Sequence, residues 1–261
     1  MGDVFGMDME TWIPLYREIV KNLKLSEKKD LKSARKLVER LEQNPYVSDR
    51  ESTLGRLKEL IDKRTCIIVG GGPDLEEESS DLVYRIQNGN EIEDITIITA
   101  DGTTSVLYGS GIVPDIIVTD LDGGIEDQVM AVGEGSVMVL HAHGDNKKKI
   151  KRTVKRLSGM IIGSTQVNPE KVPKTVNFGG FTDGDRAVHM ADSLKASKIV
   201  LLGFDTGLVG EKLDDKGERR EQTDEEKEMK LRKLRWADRL LNMVSDTPVL
   251  RYSEVADDLF L

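Results

Sequence analysis

The apolar residues of this chain follow two different patterns, one before and one after residue 64. In residues 1–63 they recur every three or four positions, which predicts amphipathic helices; the first stripe is Trp12, Leu15, Ile19 and Leu23. From residue 65 onward, short apolar runs alternate with helical segments, as is typical of a parallel sheet with crossover helices. We therefore predict a helical N-terminal cap over residues 1–63 and an α/β domain over residues 64–209.

The apolar runs are rich in β-branched residues and leucine without alternation, so both faces of each strand are expected to be covered. Strands are predicted at residues 66–69, 95–99, 116–119, 137–140, 160–162, 199–202 and 249–252. Helices are predicted between them at residues 75–88, 103–110, 125–132, 145–157 and 183–196. The fold class is α/β, a Rossmann-like and mostly parallel sheet with helices on both faces.

The last segment, residues 210–261, begins with a highly charged run up to residue 228. We interpret this run as a solvated loop or a mobile lid. A long helix with Leu231, Leu234 and Leu240 on its apolar side follows, and the edge strand comes after it. We expect this segment to pack on the α/β domain.

Composition limits the partners of the chain. Its 261 residues are 38% hydrophobic and 33% charged, as in a soluble protein with a sizeable core, and the net charge of −9 argues against a nucleic-acid-binding function. No apolar run is as long as a membrane-spanning helix, so we expect a cytoplasmic protein with no membrane partner. The apolar stripes of the N-terminal helices fit packing on the sheet or on a second subunit, which leaves a homodimer open.

Two carboxylates, Asp120 and Asp122, follow the third predicted strand and precede a glycine turn. The carboxyl ends of parallel strands border the crevice where ligands bind. Alternate residues of an extended segment point the same way, so both carboxylates can face one hard cation, with Mg²⁺ and a nucleotide diphosphate or triphosphate as the natural occupants. The alternative is that Asp and Gly only form the turn after the strand.

Other predicted strands end in similar residues. Asp101 follows the second strand, as a helix N-cap or a third metal carboxylate. His141, His143 and Asp145 follow the fourth strand; the histidines lack the spacing of a recognisable zinc site, so we expect them to contact substrate, with Asp145 capping a helix or supporting the metal. Lys148 is suited to phosphate charge.

Glycines and polar side chains complete this edge of the predicted sheet. Gly70, Gly71 and Gly72 follow the first strand, where a backbone without Cβ atoms can approach a phosphate, although a purely structural turn fits equally well. The remaining candidates follow the fifth and sixth strands: Gln166, Asn177, Asp183, Arg186 and Asp205. Such a concentration of acidic and polar residues at one edge is hard to explain by stability alone.

These segments together resemble a known family. Ala100-Asp101-Gly102 and the run Gly-Ile-x-Pro-Asp-x-Ile-Val-x-Asp-Leu-Asp at 111–122 are similar to the catalytic half of thiamin pyrophosphokinases. With Gly71-Gly72-Pro73, the segment His141-Ala142-His143-Gly144-Asp145-Asn146 and residues 180–187, the chain resembles the archaeal 6-hydroxymethyl-7,8-dihydropterin pyrophosphokinases over roughly residues 65–207.

The resemblance implies Mg²⁺-dependent transfer of the β,γ-diphosphate of ATP to the pterin hydroxymethyl group, with release of AMP, in tetrahydromethanopterin or folate-like biosynthesis. Clustered carboxylates that hold Mg²⁺ suit this chemistry, because phosphoryl transfer needs positioning and charge neutralisation. We expect Asp101, Asp120 and Asp122 in the metal shell, with Asp145 in it or beside it. The other expected contacts are Lys148 and Arg186 for phosphate, Gly70 to Gly72 for the nucleotide, and Gln166, Asn177 and Asp183 or Asp205 for the pterin ring.

Departures from the thiamin enzymes disfavour thiamin as the substrate. Gly123 stands where those enzymes have Ser, and of their Asp-x-Thr-Asp-x-x-Lys motif only Asp145 and Lys148 are matched. Two other classes of function use the same features. A nucleotide-sugar glycosyltransferase would hold its metal with the same Asp-x-Asp pair, and a non-catalytic module would bind ATP without cleaving it.

Overall fold

Seven parallel strands form the centre of the computed structural model, which describes residues 7–89, 94–205, 212–213 and 219–260. The described residues form nine strands in all: β1 (Thr65–Val69), β2 (Ile95–Ala100), β3 (Ile116–Thr119), β4 (Val137–Ala142), β5 (Ile161–Thr165), β6 (Lys198–Leu202), β7 (Lys212–Leu213), β8 (Arg219–Arg220) and β9 (Val249–Arg251). The sheet order is β5-β4-β3-β2-β1-β6-β9, while β7 and β8 form a separate antiparallel pair. The predicted α/β class with a parallel sheet is confirmed.

Helices connect the strands and flank the sheet. They are α1 (Met9–Asn22), α2 (Glu27–Glu42), α3 (Arg50–Ile61), α4 (Leu75–Gln87), α5 (Thr103–Gly109), α6 (Ile125–Gly133), α7 (Lys147–Thr153), α8 (Asp183–Ser193), α9 (Asp224–Leu241) and α10 (Tyr252–Leu259). None of these described helices has both the length and the apolar content needed to cross a membrane.

The core lies on both faces of the sheet, as the unbroken apolar strands predict. In β1, Ile67 packs with α4 and α10 on one face, whereas Cys66 and Ile68 pack with α3 and α8 on the other. All three side chains are fully buried, and burial raises the pKa of the Cys66 thiol to about 12. Helix α8 packs across β1, β2 and β3, so its N-terminus reaches the carboxyl end of β3.

The N-terminal helices pack on the sheet, which is one of the two arrangements that their apolar stripes allowed. Trp12, Tyr16 and Ile19 of α1 are buried in the same cluster as side chains of β3, β4 and β5. Helix α9 lies against α1, and Trp236 Nε1 donates a hydrogen bond of 3.2 Å to Asn22 Oδ1. Helix α1 is therefore enclosed by the sheet and by α9.

Two of the predicted boundaries are wrong. The helix predicted at 145–157 is shorter, since α7 ends at Thr153 and a 3₁₀ turn over Val154–Arg156 follows it. The predicted loop does not extend to residue 228, because α9 begins at Asp224 after a capping box of Thr223 and Glu226. Residues 210, 211 and 214–218 of the predicted lid lie outside the described residues, so the lid stays a prediction.

Candidate functional site

Two carboxylates meet where β2 and β3 end side by side. Asp101 follows β2 with a left-handed φ of +50°, and its backbone N–H donates to Val118 O at 2.8 Å. Its Oδ1 accepts hydrogen bonds from Thr119 Oγ1 at 2.7 Å and from the backbone N–H of Asp122 at 3.1 Å. These contacts fix Asp101 against the residues that follow β3, where Asp120 lies.

Asp183, the first residue of α8, joins the two from the opposite side. The backbone N–H of Asp120 donates to Asp183 Oδ2 at 3.3 Å. One carboxylate oxygen from each of Asp101, Asp120 and Asp183 lies within 4.8 Å of the other two. We call these three residues the acid group; the sequence had placed Asp183 against the substrate ring instead.

Burial and the charges around the acid group shift the pKa values of its three side chains. Burial, reinforced by the charge of Asp120, raises the pKa of Asp101 to about 7. Burial and the charges of Asp120 and Asp101 raise the pKa of Asp183 well above its usual range. Burial also acts to raise the pKa of Asp120, but the hydrogen bond from His143 and nearby positive charge outweigh it and hold that pKa below its usual range.

The acid group fits a hard divalent cation. Hard cations such as Mg²⁺ take carboxylate oxygens as ligands, and two positive charges would relieve the repulsion among the three side chains. Asp120 Oδ1 is buried and has no hydrogen-bond partner among the described residues. A buried carboxylate oxygen without a partner is uncommon, and a bound cation would satisfy it.

His143 and Asn146 hold Asp120 in place. His143 Nε2 lies 3.0 Å from Asp120 Oδ2, and Asn146 Nδ2 donates to the backbone O of Asp120 at 3.0 Å and to that of His141. The geometry thus gives His143 a contact with the acid group, while the predicted substrate contact remains open. Asn146 was missed as a site residue, although it belongs to the segment that carries the family resemblance.

Asp122 and Asp145 lie outside the acid group. Leu121 has a φ of +68°, so the chain is not extended there and Asp120 and Asp122 do not share a face. The Asp122 side chain is half exposed and accepts a hydrogen bond from Lys149 Nζ at 3.1 Å. The Asp145 side chain is 81% exposed, 3.9 Å from Lys29 Nζ. Their roles as metal ligands stay predictions.

A buried polar network extends from the acid group toward the N-terminal helices. Arg186, whose Nε is 4.0 Å from Asp183 Oδ1, donates through Nη1 to His141 Nδ1 at 2.9 Å and through Nη2 to Gln166 Oε1 at 3.1 Å. Gln166 in turn donates to Asp30 Oδ2 at 2.7 Å. The network therefore connects α8 to α2 through three side chains that are almost completely buried.

His141 is neutral in this network. Burial and the charge of Arg186 lower its pKa well below the usual value. Because Arg186 donates to Nδ1, the proton of the neutral ring is on Nε2. That Nε2 is buried and has no partner among the described residues, so it is a free hydrogen-bond donor. The predicted substrate contact of His141 stays a prediction.

Asp30 was missed by the sequence analysis, which assigned no chemistry to the N-terminal helices. Its carboxylate also accepts hydrogen bonds from Tyr16 Oη at 2.6 Å and from the backbone N–H of Gly144 at 2.7 Å. A signal was present in the sequence. Asp30 stands on the buried stripe of α2 with Ser33, Ala34 and Leu37, where a charged residue needs partners.

The glycine loop after β1 packs tightly against the loop after β6. A Cβ atom on Gly72 would lie 2.5 Å from Gly203 O, and one on Gly70 would lie 2.6 Å from the Phe204 ring. A Cβ on Gly71 would have Thr103 as its nearest neighbour, at 3.9 Å. Close packing thus accounts for Gly70 and Gly72, whereas the Cβ position of Gly71 has no close neighbour.

The structure places the remaining candidates away from the acid group or in internal contacts. Asn177 is buried, accepts from the backbone N–H of Gly179 and donates to Val167 O. Asp205 follows β6 beside Gly72, and its backbone N is 2.9 Å from the Cβ position of that glycine. Lys148 lines a groove together with other basic residues, one of which is Arg40 of α2. The assigned roles of these three residues stay predictions.

Comparisons with known proteins agree on one family. The model of a family described as "6-hydroxymethylpterin diphosphokinase MptE-like" matches residues 35–211. A Pyrococcus furiosus protein named 6-hydroxymethyl-7,8-dihydropterin pyrophosphokinase is 40% identical over 78% of this chain and 81% of its own length. Proteins of the same name from Methanocaldococcus jannaschii and Methanothermobacter thermautotrophicus are 35% identical over 92% and 38% identical over 78% of this chain, and 97% and 81% of their own lengths are covered.

Proposed function

The chain belongs to the MptE-like family of 6-hydroxymethylpterin diphosphokinases, and we propose that it transfers the β,γ-diphosphate of ATP to 6-hydroxymethyl-7,8-dihydropterin. The acceptor is the hydroxymethyl oxygen, which forms a bond to the β-phosphorus of ATP. The bond from that phosphorus to the oxygen bridging to the α-phosphate breaks, AMP leaves, and the proton of the hydroxyl group passes to solvent water. The archaeal origin of three similar proteins supports a place in tetrahydromethanopterin or folate-like biosynthesis.

The observation that carries the proposal is the convergence of Asp101, Asp120 and Asp183 within 4.8 Å. We propose that these residues hold Mg²⁺. A bound Mg²⁺ would neutralise the phosphate charge that builds up during transfer. Asp120 Oδ1 supports this role because it has no hydrogen-bond partner among the described residues, whereas Asp120 Oδ2 is hydrogen-bonded to His143.

The residues around the acid group have separate tasks in this proposal. His143 and Asn146 orient Asp120, so that its free oxygen faces the cation. Arg186 is buried beside Asp183 and brings positive charge next to the acid group, which would favour a bound phosphate. The Nε2–H of His141 offers a hydrogen bond to the pterin or to a phosphate oxygen. Positioning of this kind is the main contribution of a protein to phosphoryl transfer.

The test is AMP release from ATP and Mg²⁺, with 6-hydroxymethyl-7,8-dihydropterin, thiamin or no acceptor. We expect AMP to form only with the pterin, and Asp120→Asn to lower the rate by about a hundredfold or more. AMP and ADP are separated by chromatography, and Lys58→Gln, far along α3, serves as the matched control. Release of ADP, or a thiamin-dependent rate equal to the pterin-dependent rate, would contradict the proposal.

A further inference from the structure

Helix α7 and the 3₁₀ turn after it carry seven basic residues within ten positions, and four of these residues lie on one face. Successive residues of a helix are about 100° apart, so Lys148, Lys151, Arg152 and Lys155 share one face. Ile150 and Thr153 are buried against the core on another face. With Arg40 of α2, the four exposed cations line a groove of about 440 Å³, which we call the basic groove.

The cations of the basic groove lack the ion pairs that two neighbouring basic residues form. On the adjoining face, Lys149 pairs with Asp122 at 3.1 Å and Arg156 pairs with Glu126. In contrast, none of the five groove residues forms an ion pair with the part of the chain that the structure describes. Arg40 Nε is buried and has no hydrogen-bond partner among the described residues. The groove thus brings together five cations that have no ion-pair partner among the described residues.

This local charge is opposite to that of the whole protein, whose net charge is −9. A cleft lined by one sign of charge focuses the electrostatic potential and concentrates counter-ions of the opposite sign. Lysines act as point charges toward phosphate, and the arginine fork binds two phosphate oxygens at once. The groove thus has the chemistry of an anion site.

The size and lining of the groove indicate which class of anion it can bind. Its volume of about 440 Å³ exceeds the space that one phosphate needs and is in the usual range for small-molecule sites. No aromatic side chain lines it, so it offers no platform for stacking a base. We propose that the basic groove binds a compact polyphosphate anion, recognised through its phosphate oxygens and separate from the acid group.

The groove is separate because α7 lies between it and the acid group. Lys149 reaches Asp122 on the side of β3, whereas the groove lies between α7 and α2. Binding there does not require the proposed reaction. A second anion site of this kind would let a phosphate-rich metabolite act on the enzyme without competing for the metal.

Isothermal titration calorimetry with inorganic tripolyphosphate in EDTA tests the proposal without a turnover assay. We compare the unmodified protein with Lys151→Glu/Arg152→Glu, with the matched control Lys28→Glu/Lys32→Glu on the exposed side of α2, and with Asp120→Asn in the acid group. We expect the groove variant alone to bind tripolyphosphate with an affinity reduced by about tenfold or more. In the unmodified protein, the affinity should fall as the salt concentration is raised. ATP as a second titrant distinguishes free polyphosphate from a nucleotide as the source of the anion.

Equal affinity in the groove and control variants would overturn the proposal, as would loss of binding in Asp120→Asn alone. A single-stranded RNA that binds more tightly than tripolyphosphate and loses affinity in the groove variant would show a nucleic-acid surface instead. Circular dichroism confirms that each variant is folded, and Lys151→Gln/Arg152→Gln replaces the charge reversal if that variant does not fold. Since the readout is binding in EDTA, a failure of the proposed reaction would not affect it.

Discussion

The side-chain amide of Gln166 donates a hydrogen bond of 2.7 Å to the carboxylate of Asp30, which lies 136 residues earlier in the chain. This contact joins the end of β5 to α2, and the carbonyl oxygen of the same amide accepts from Arg186. The second helix of the chain therefore supports the guanidinium beside the acid group through one intermediate side chain.

Replacing Asp30 with Asn will destabilise the protein. The carboxylate accepts three hydrogen bonds, from Tyr16, Gln166 and Gly144. In the variant, the NH₂ group of Asn would face at least one of these donors, which would then have no acceptor. A buried donor without a partner costs about 1–3 kcal/mol, so we expect a loss of that size. Chemical denaturation measures it, with Asp145→Asn as the exposed control. An equal effect of both variants would contradict the assigned network.

Asp183→Asn will abolish activity while it raises the thermal stability of the metal-free protein. The variant removes a carboxylate whose pKa is raised by burial and by the charges of Asp120 and Asp101, and so relieves repulsion in the acid group. A gain of about 1 kcal/mol corresponds to a rise in Tm of roughly 2–4 °C for a chain of this size. Calorimetry in EDTA and the AMP assay measure both effects. Asp145→Asn should change neither the Tm nor the activity. A loss of activity in Asp145→Asn would instead support the predicted role of Asp145 as a metal ligand.

The stability of the metal-free protein will fall as the pH rises from about 4 to about 7. The pKa of Asp101 is about 7 in the folded protein, above its value of about 3.9 in an unfolded chain. Over this interval the folded state binds more protons than the unfolded state, so deprotonation favours unfolding. Chemical denaturation in EDTA across this pH range checks the slope. Asp101→Asn should flatten it, and an unchanged slope in that variant would refute the assignment.

Mg²⁺ will stabilise the protein more at about pH 8 than at about pH 5. Protons compete with the cation for the carboxylates of the acid group, and two of these carboxylates have raised pKa values. Differential scanning fluorimetry with and without MgCl₂ at the two pH values measures the shift. The same shift at both values would mean that the acid group is not where Mg²⁺ binds.

The three glycines after β1 will respond differently to alanine. Gly72→Ala places a Cβ 2.5 Å from a backbone oxygen and should destabilise by about 2 kcal/mol or more, whereas Gly71→Ala should stay within about 0.5 kcal/mol. Gly70→Ala meets the movable ring of Phe204 and should fall between them. Denaturation curves test this order. A raised KM for ATP in Gly71→Ala alone would support the predicted nucleotide contact of the loop.

The parallel sheet and its reactive edge were predictable because they follow from local patterns. Unbroken apolar runs indicate strands buried on both faces, and an Asp after each of two adjacent strands places Asp101 and Asp120 at one edge. Helix α9 began earlier than predicted because the capping box at Thr223 was overlooked in the charged run. The capping box lies within four consecutive residues, so the sequence alone could have predicted the start of α9.

The sequence did not predict which carboxylates join Asp101 and Asp120 in the acid group. Asp183 arrives through the path of α8 across three strands, which no local pattern fixes. The left-handed φ of Leu121 breaks the alternation on which the pairing of Asp120 with Asp122 rested. Left-handed backbone is uncommon for leucine, so the sequence gives no reason to expect it.

The packing of α1 between the sheet and α9 has a consequence for how the chain is made. Asn22 and Trp236, which are hydrogen-bonded in the folded protein, are 214 residues apart, so α1 leaves the ribosome long before its partner exists. Contacts over such a separation form late in folding, and apolar surface stays exposed until they do. The side of α1 that α9 covers therefore stays exposed until almost the whole protein has been translated, whereas Trp12 and Ile19 can pack earlier with β3, β4 and β5.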